Sequence, residues 1–195
     1  ELFARREDLH PIIQTAVLHA QFEMIHPFLD GNGRMGRLLI TLFLASKKIL
    51  HTPCLYISAY LQRHRGAYYA SLAKISKNND WNTWISFFLR AVVEHSKANA
   101  SLLMKMTDLY EISKTQFAEA TNSSLAMELL DYLFAQPIFT VPNLINQTKV
   151  KASKATLLLA VQKLEKAGLV TKISEGRGRR PTVWKFGALV DLIQD

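Results

Sequence analysis

The sequence predicts a mainly α chain, with an all-helical domain over residues 1–120 and a smaller domain of helices and one β-hairpin over 121–195. Three observations predict it. Apolar residues recur at helical spacing from Leu9 onward. Strand-like runs occur only after Gly168. Positive charge gathers in the same C-terminal part: residues 149–185 hold ten Lys and Arg against two acids, Glu165 and Glu175.

The elements follow in order. Leu9, Ile12, Ile13, Ala16, Val17, Ala20 and Met24 line one helix, which Pro27 ends at His26 by disfavouring helical geometry there. After the stretch 27–33, a second helix runs through Leu38, Leu39, Leu42 and Ala45 to about Lys48. Beyond Pro53, helices are expected at 58–76, 80–99 and 100–120, with Asp80 as an N-cap. Thr121-Asn122-Ser123-Ser124 reads as a linker or cap. Helices follow at 124–135, 141–147 and Ser153–Ala167, with Gly168 suited to a C-terminal cap. Two strand-like runs, Leu169–Ser174 and Thr182–Phe186, flank a loop carrying Arg177, Arg179 and Arg180. Three helices and a basic hairpin in that order outline a winged helix-turn-helix.

Bulk composition narrows the function classes. The chain has 195 residues, 49% apolar and 21% charged, with a formal charge of +8, as an ordinary globular protein would. No apolar run approaches the roughly 20 residues that span a bilayer, so no membrane is expected. Cys54 is the single cysteine, which excludes an intrachain disulfide and fits a reducing, cytoplasmic compartment. It reads as a buried thiol rather than a nucleophile. The chain does not begin with Met, and a piece upstream of Glu1 is expected to be missing.

Chemistry concentrates in His26-Pro27-Phe28-Leu29-Asp30-Gly31-Asn32-Gly33-Arg34-Met35-Gly36-Arg37. Gly31 and Gly33 permit a backbone nest whose N–H groups converge on an anion. The nest opens into a helix, whose N-terminus adds free donors and partial positive charge. Arg34 and Arg37, three residues apart, can share a face and grip phosphate oxygens. Asp30 puts a carboxylate beside this cradle, where Mg²⁺ would bridge it to phosphates. His26, an imidazole at a helix end, suits proton abstraction from a hydroxyl. Together these describe a nucleotide phosphotransfer site without a P-loop, since no G-x-x-x-x-G-K-[ST] occurs.

The segment resembles the signature of the Fic (filamentation-induced-by-cAMP) family at ten fixed positions: His26, Pro27, Phe28, Asp30, Gly31, Asn32, Gly33, Arg34, Gly36 and Arg37. The likeness extends from about Leu9 to Val93, through Tyr56-Ile57-Ser58 and Tyr68-Tyr69 to Trp81, Trp84, Phe87 and Phe88. It implies His26 as general base, Asp30 as the Mg²⁺ ligand, and Gly31, Asn32, Gly33, Arg34, Gly36 and Arg37 as the nucleotide-binding set. Phe28 would anchor the loop by packing. The implied reaction moves AMP from ATP to a Ser, Thr or Tyr hydroxyl of a target protein. Gly31-Asn32-Gly33-Arg34 differs from the Ala-Asn-Lys-Arg of the phosphorylating Doc-like branch, which favours AMP transfer. Two readings stand beside it: a DNA-binding regulator using this fold as a nucleotide sensor, and an enzyme that removes AMP or transfers another nucleotide.

Plainer readings apply elsewhere. His19, Glu23 and His26 have spacings of four and three, but a transition-metal site lacks an H-E-x-x-H. Tyr68, Tyr69, Asn78 and Asn79 are candidate adenine contacts, with half-buried tyrosines and a polar turn as the favoured reading. Trp81, Trp84, Phe87 and Phe88 read as core. Lys47, Lys48, Arg63 and Arg65 read as surface charge. In the C-terminal part, Lys154, Lys163 and Lys166 flank an apolar stripe of Leu157, Val161 and Leu164. DNA binding stands even with docking or homodimerisation, because Lys154, Thr156 and Gln162 are few base readers. The resemblance also implies an inhibitory glutamate, from [S/T]-x-x-x-E-[G/N], that pairs with Arg37. Thr171–Gly176 matches that pattern but falls in the hairpin, so the inhibitory helix and target-binding flap are expected upstream of Glu1.

Overall fold

The computed structural model describes residues 8–51, 55, 57–147, 152–178 and 180–194, with Gln147 by its backbone alone. The chain divides into two compact units, Glu1–Asn99 and Ala100–Asp195. Cys54, Tyr56 and Arg179 lie outside the described residues.

In the first unit, α1 spans Pro11–Ile25. It opens on His10, whose ring accepts from the Ile12 N–H at 3.3 Å, and on Pro11, whose missing N–H is no loss at a helix start. It ends where expected: His26 takes the left-handed conformation (φ 49°) and its N–H donates to the Phe22 carbonyl. α2 is Asn32–Ser46, capped by Gly31. The expected helix over 58–76 is two, α3 (Ser58–Arg63) and α4 (Arg65–Asn78), broken at His64. The expected helices 80–99 and 100–120 are one, α5 (Trp81–Thr121), because no Gly or Pro occurs between those ends to stop it. Asp80 caps α5, accepting from the Thr83 N–H at 3.1 Å and the Thr83 hydroxyl at 2.6 Å.

The core of this unit gathers Ala16 and Ala20 of α1, Ile40 and Leu44 of α2, Tyr68, Leu72 and Ile75 of α4, and Trp84, Phe87 and Phe88 of α5. Small residues on α1 let α2 approach closely. Trp84 is wholly buried, and its indole N–H donates to the Ala16 carbonyl at 2.8 Å, so the largest core side chain leaves no donor unmet. Thr41 ties α2 to the segment before α3 by donating to the Leu55 carbonyl at 2.7 Å.

The second unit contains α6 (Ala126–Ala135), β1 (Ile138–Phe139), α7 (Val141–Gln147), α8 (Lys154–Lys166), β2 (Thr171–Ser174), β3 (Val183–Lys185) and α9 (Gly187–Gln194). Ser153 caps α8, its hydroxyl accepting from the Thr156 N–H at 3.1 Å, and Gly168 follows at φ 76°. The sheet is antiparallel in the order β1-β3-β2, with Phe139 opposite Trp184 and Lys172 opposite Trp184 on the other side. Phe117, Leu129, Leu130, Leu133, Leu144, Leu157, Leu164 and Phe186 fill its core. β1 and α9 add to the elements expected. Thr171–Ser174 forms a strand exposed along its length, and Glu175 and Gly176 lie in no helix, so the [S/T]-x-x-x-E-[G/N] match is not on a helix.

Candidate functional site

The junction of α1 and α2 forms a hollow of about 300 Å³ lined by His26, Leu29, Asp30, Gly31, Asn32, Gly33, Arg34 and Arg37. Its shape starts with two left-handed residues, His26 at φ 49° and Gly31 at φ 84°. The first turns the chain out of α1, and the second turns it into α2. Gly31 suits its position because side-chain-bearing residues are strained at that φ.

His26 is exposed, and its Nδ1 lies 3.3 Å from the Glu23 carbonyl oxygen. A carbonyl only accepts, so Nδ1 is the donor, and in the neutral ring Nε2 is left as the acceptor. The backbone one turn back thus selects the tautomer in which the distal nitrogen can receive a proton.

Asn32 is 2% exposed and faces inward rather than into the hollow. Its Oδ1 accepts from the Phe28 N–H at 2.9 Å, and its Nδ2 donates to the Phe28 carbonyl. The side chain therefore closes the 28–32 loop from within, and only its backbone belongs with the anion nest. Phe28 leans on α1, its ring 6.2 Å from that of Phe22, while staying 50% exposed.

Arg34 and Asp30 form an exposed pair at 3.3 Å, of the weak kind that solvent screens. Arg37 curls toward the start of α2, since a Cβ on Gly33 would sit 3.1 Å from its Nη1. The same arginine lines a second hollow of about 270 Å³, with Ser58, Leu61, Gln62, Arg65, Tyr68 and Tyr69. Arg37 thus serves both concavities. Arg65, read from sequence as surface charge, lines the second and stands 5.5 Å from the Tyr69 ring centre. Two arginines against one carboxylate make the first hollow a place for a polyanion. Asp30 is the carboxylate of that lining.

Gly36, grouped from the sequence with the nucleotide-binding residues, packs against α1. It is buried, and a Cβ there would lie 2.3 Å from Glu23 Oε1 and 3.2 Å from His19 Cε1 and from Phe22 Cδ1. Its absent side chain lets the helices meet. His19, 1% exposed, joins them: Nδ1–H donates to the Gly36 carbonyl at 3.0 Å, and Nε2 accepts from the Tyr68 hydroxyl at 3.1 Å. Burial holds His19 neutral, lowering its pKa to about 4, with the Gly36 bond opposing and Arg37 adding to the shift. Burial also raises the Tyr68 phenol, with Glu23 acting the same way. Both ring nitrogens of His19 are thus engaged, one with α2 and one with α4. Asn79 accepts from the Trp81 indole at 2.9 Å as the cap of α4, the polar-turn reading.

Residues 1–44 match the model of the Fic/DOC family. The motif-bearing part of the chain is thus similar to the Fic/DOC family. The chain is 37% identical over 68 residues to an Aquifex aeolicus protein described as a probable protein adenylyltransferase, covering 32% of this chain and 21% of that protein. It is 33% identical over 91 residues to the protein adenylyltransferase fic-1 of Caenorhabditis elegans, covering 47% of this chain and 16% of that one. The chain matches about a fifth or less of these relatives' length. Its fold is similar to that of a Fic family protein from Desulfovibrio desulfuricans G20, with a TM-score of 0.50 at 21% identity over 95% of this chain and 52% of the other.

Proposed function

We propose that the chain carries the catalytic site of a protein adenylyltransferase, moving AMP from ATP to a Ser, Thr or Tyr hydroxyl of a target protein. One observation carries the reading: His26, with Nδ1–H tied to the Glu23 carbonyl, lines the same hollow as the Gly31 turn, Arg34 and Arg37. In the proposed reaction, the acceptor hydroxyl passes its proton to His26 Nε2 while its oxygen bonds to the α-phosphorus. The bond from that phosphorus to the bridging oxygen breaks, and pyrophosphate leaves. Backbone N–H groups at the start of α2 hold the phosphates, and Arg34 and Arg37 meet the charge gathering on the leaving group. Asp30 would hold Mg²⁺, which when bound would neutralise part of that charge; a single carboxylate suits an ion that takes few ligands from protein. The names of the curated relatives support this reaction class.

Incubating the chain with α-³²P-labelled ATP, Mg²⁺ and cell lysate, beside His26→Ala, tests the proposal. Protein label that requires His26 is the expected result. Equal labelling by both chains would remove His26 as the base, and no label from either would remove the transferase reading.

A second reading concerns residues 121–195, proposed as a winged helix-turn-helix. The helix–strand–helix–helix–strand–strand order supports it, and Lys154, Lys166, Lys172, Arg177 and Arg180 are all exposed, as a nucleic-acid surface requires. Leu158 and Leu159 are exposed on α8 at 38% and 55%, which favours docking of a protein, a second copy included, over base reading. Duplex binding that weakens steeply with salt, and fails in Arg177→Ala/Arg180→Ala, would decide for DNA.

A further inference from the structure

The mechanism above uses the charged side chains of the first hollow and leaves Leu29 without a task. Leu29 is the one apolar side chain in a lining that is otherwise polar or glycine. It is also wholly exposed, so no part of the described chain covers it. A lone exposed leucine on a protein surface is ordinary. Two features set this one apart. The loop that carries it is clamped: Asn32 bonds both the N–H and the carbonyl of Phe28, the residue before Leu29, and the left-handed Gly31 turns the chain two residues after it. The leucine is therefore held out to solvent from a fixed backbone, as interface anchors are, and little ordering remains to be done on contact. It also lines the same hollow as His26, to which the acceptor hydroxyl must come. Ile25 and Phe28, the residues on either side of His26-Pro27, are exposed as well.

We infer that Leu29 is an anchor for the acceptor polypeptide: it takes an apolar side chain beside the Ser, Thr or Tyr that receives AMP, and so selects apolar-flanked hydroxyls over charged ones. The inference rests on the proposed transferase reading. The chemistry of the two substrates decides the occupant. ATP brings a polyanion and a polar sugar, which suit the Gly31 turn, Arg34 and Arg37 and gain nothing from a leucine. Tyr68 and Tyr69, the candidate adenine contacts, line the second hollow, which has only Arg37 in common with the first. The acceptor is what remains to meet Leu29. Its hydroxyl reaches His26 Nε2 only if the residues flanking it pass over the lining beside the imidazole. An apolar side chain there sheds water against Leu29, whereas a charged one loses water and gains no partner from it. Leu29 touches none of the reacting atoms. It holds the acceptor segment, and the transfer step stays as written above.

Short peptides with a single Thr flanked on both sides by Leu, by Ala or by Glu are the probe. Label from α-³²P-ATP with Mg²⁺ is followed for each, beside release of AMP to water. The chain should label the Leu-flanked peptide about tenfold better in kcat/KM than the Ala-flanked one, the factor that burying a leucine side chain supplies. Leu29→Ala should abolish the preference, and Leu29→Met should keep most of it. A loss in Leu29→Ala shared equally by all peptides would overturn the inference, as would a change confined to KM for ATP, which would give the leucine to the nucleoside. So would AMP released to water with no peptide labelled. A dimer that Leu29→Ala dissociates, read by sedimentation with the preference unchanged, would give the leucine to a second copy instead. Neither label nor AMP from the unaltered chain would sink the transferase reading itself.

Discussion

Lowering the pH from 7 to 5 is expected to cost the first unit about 2 kcal/mol through one side chain, His19, as worked from its folded pKa of about 4 against 6.5 unfolded. The folded value is depressed, so the unfolded chain binds more protons throughout the interval between the two. Stability from this group is therefore complete above the unfolded value, falls as pH drops through the window, and is fully lost near pH 4. The whole shift corresponds to about 3 kcal/mol. Burial is the main cause: the ring is 1% exposed, stacked 5.8 Å from Trp84, with both nitrogens engaged. Protonation would put a second hydrogen where the Tyr68 hydroxyl already donates.

The comparison is with His19→Gln, which can bond both partners but does not titrate. Other groups shift too, so the difference between the two proteins matters rather than either slope. His95 is depressed and acts in the same direction, while Glu23 is raised and gains stability as pH falls. Both remain in the variant. Urea unfolding at pH 7 and 5, followed by fluorescence in a Trp184→Phe background, reports Trp81 and Trp84 of this unit. The His19 protein should lose about 2 kcal/mol more than the glutamine variant across that range. Equal losses would show that the ring is protonated without penalty and that the buried geometry is wrong.

Two substitutions probe the loop and the helix contact. Asn32→Ala removes both bonds to the Phe28 backbone and should lower stability by about 1–3 kcal/mol in denaturant unfolding, with weaker ATP binding by calorimetry. Stability held while nucleotide binding is lost would instead assign Asn32 to the ligand. Gly36→Ala gains about 1 kcal/mol of helix propensity but crowds Glu23, His19 and Phe22, at about 1–3 kcal/mol. Its net cost should shrink in a Glu23→Ala background, measured as a double-mutant cycle. Additive effects would mean that Glu23 is not what Gly36 accommodates.

The sequence made the α1 terminus legible because Pro27 acts locally, and the Asp80 cap for the same reason. It predicted two helices where α5 is continuous. Inside it the Asn99 side chain lies 3.1 Å from the His95 ring one turn back. β1 was not legible, since two residues carry no period and exist as a strand only by pairing with β3. At the site, the motif named the residues, but it did not separate those facing the hollow from those facing α1. Asn32 and Gly36 look alike in a string of fixed positions. Their directions depend on where α1 passes, which is long-range information. His19 and Glu23 left a trace in their helical spacing, but their partners, Gly36 and Tyr68, come from other helices.

That division bears on how such a site works. The side chains open to the hollow, His26, Asp30, Arg34 and Arg37, sit on a short loop and the first turns of α2, where local contacts such as the exposed Asp30–Arg34 pair hold them only weakly. Precision comes from behind. Asn32 locks the loop to Phe28, Gly36 sets the depth at which α2 meets α1, and His19 bonds α2 to α4 through Gly36 and Tyr68. Each of these contacts is made by a group held away from water, where a hydrogen bond or a close approach is worth most and tolerates least error. Arg37 follows Gly36 directly, so a shift of the Gly36 carbonyl on His19 moves the arginine shared by both hollows. Substitutions at His19 or Gly36 should therefore alter nucleotide handling without touching the nucleotide, while Arg34, with no such support, tolerates motion along its exposed pair with Asp30.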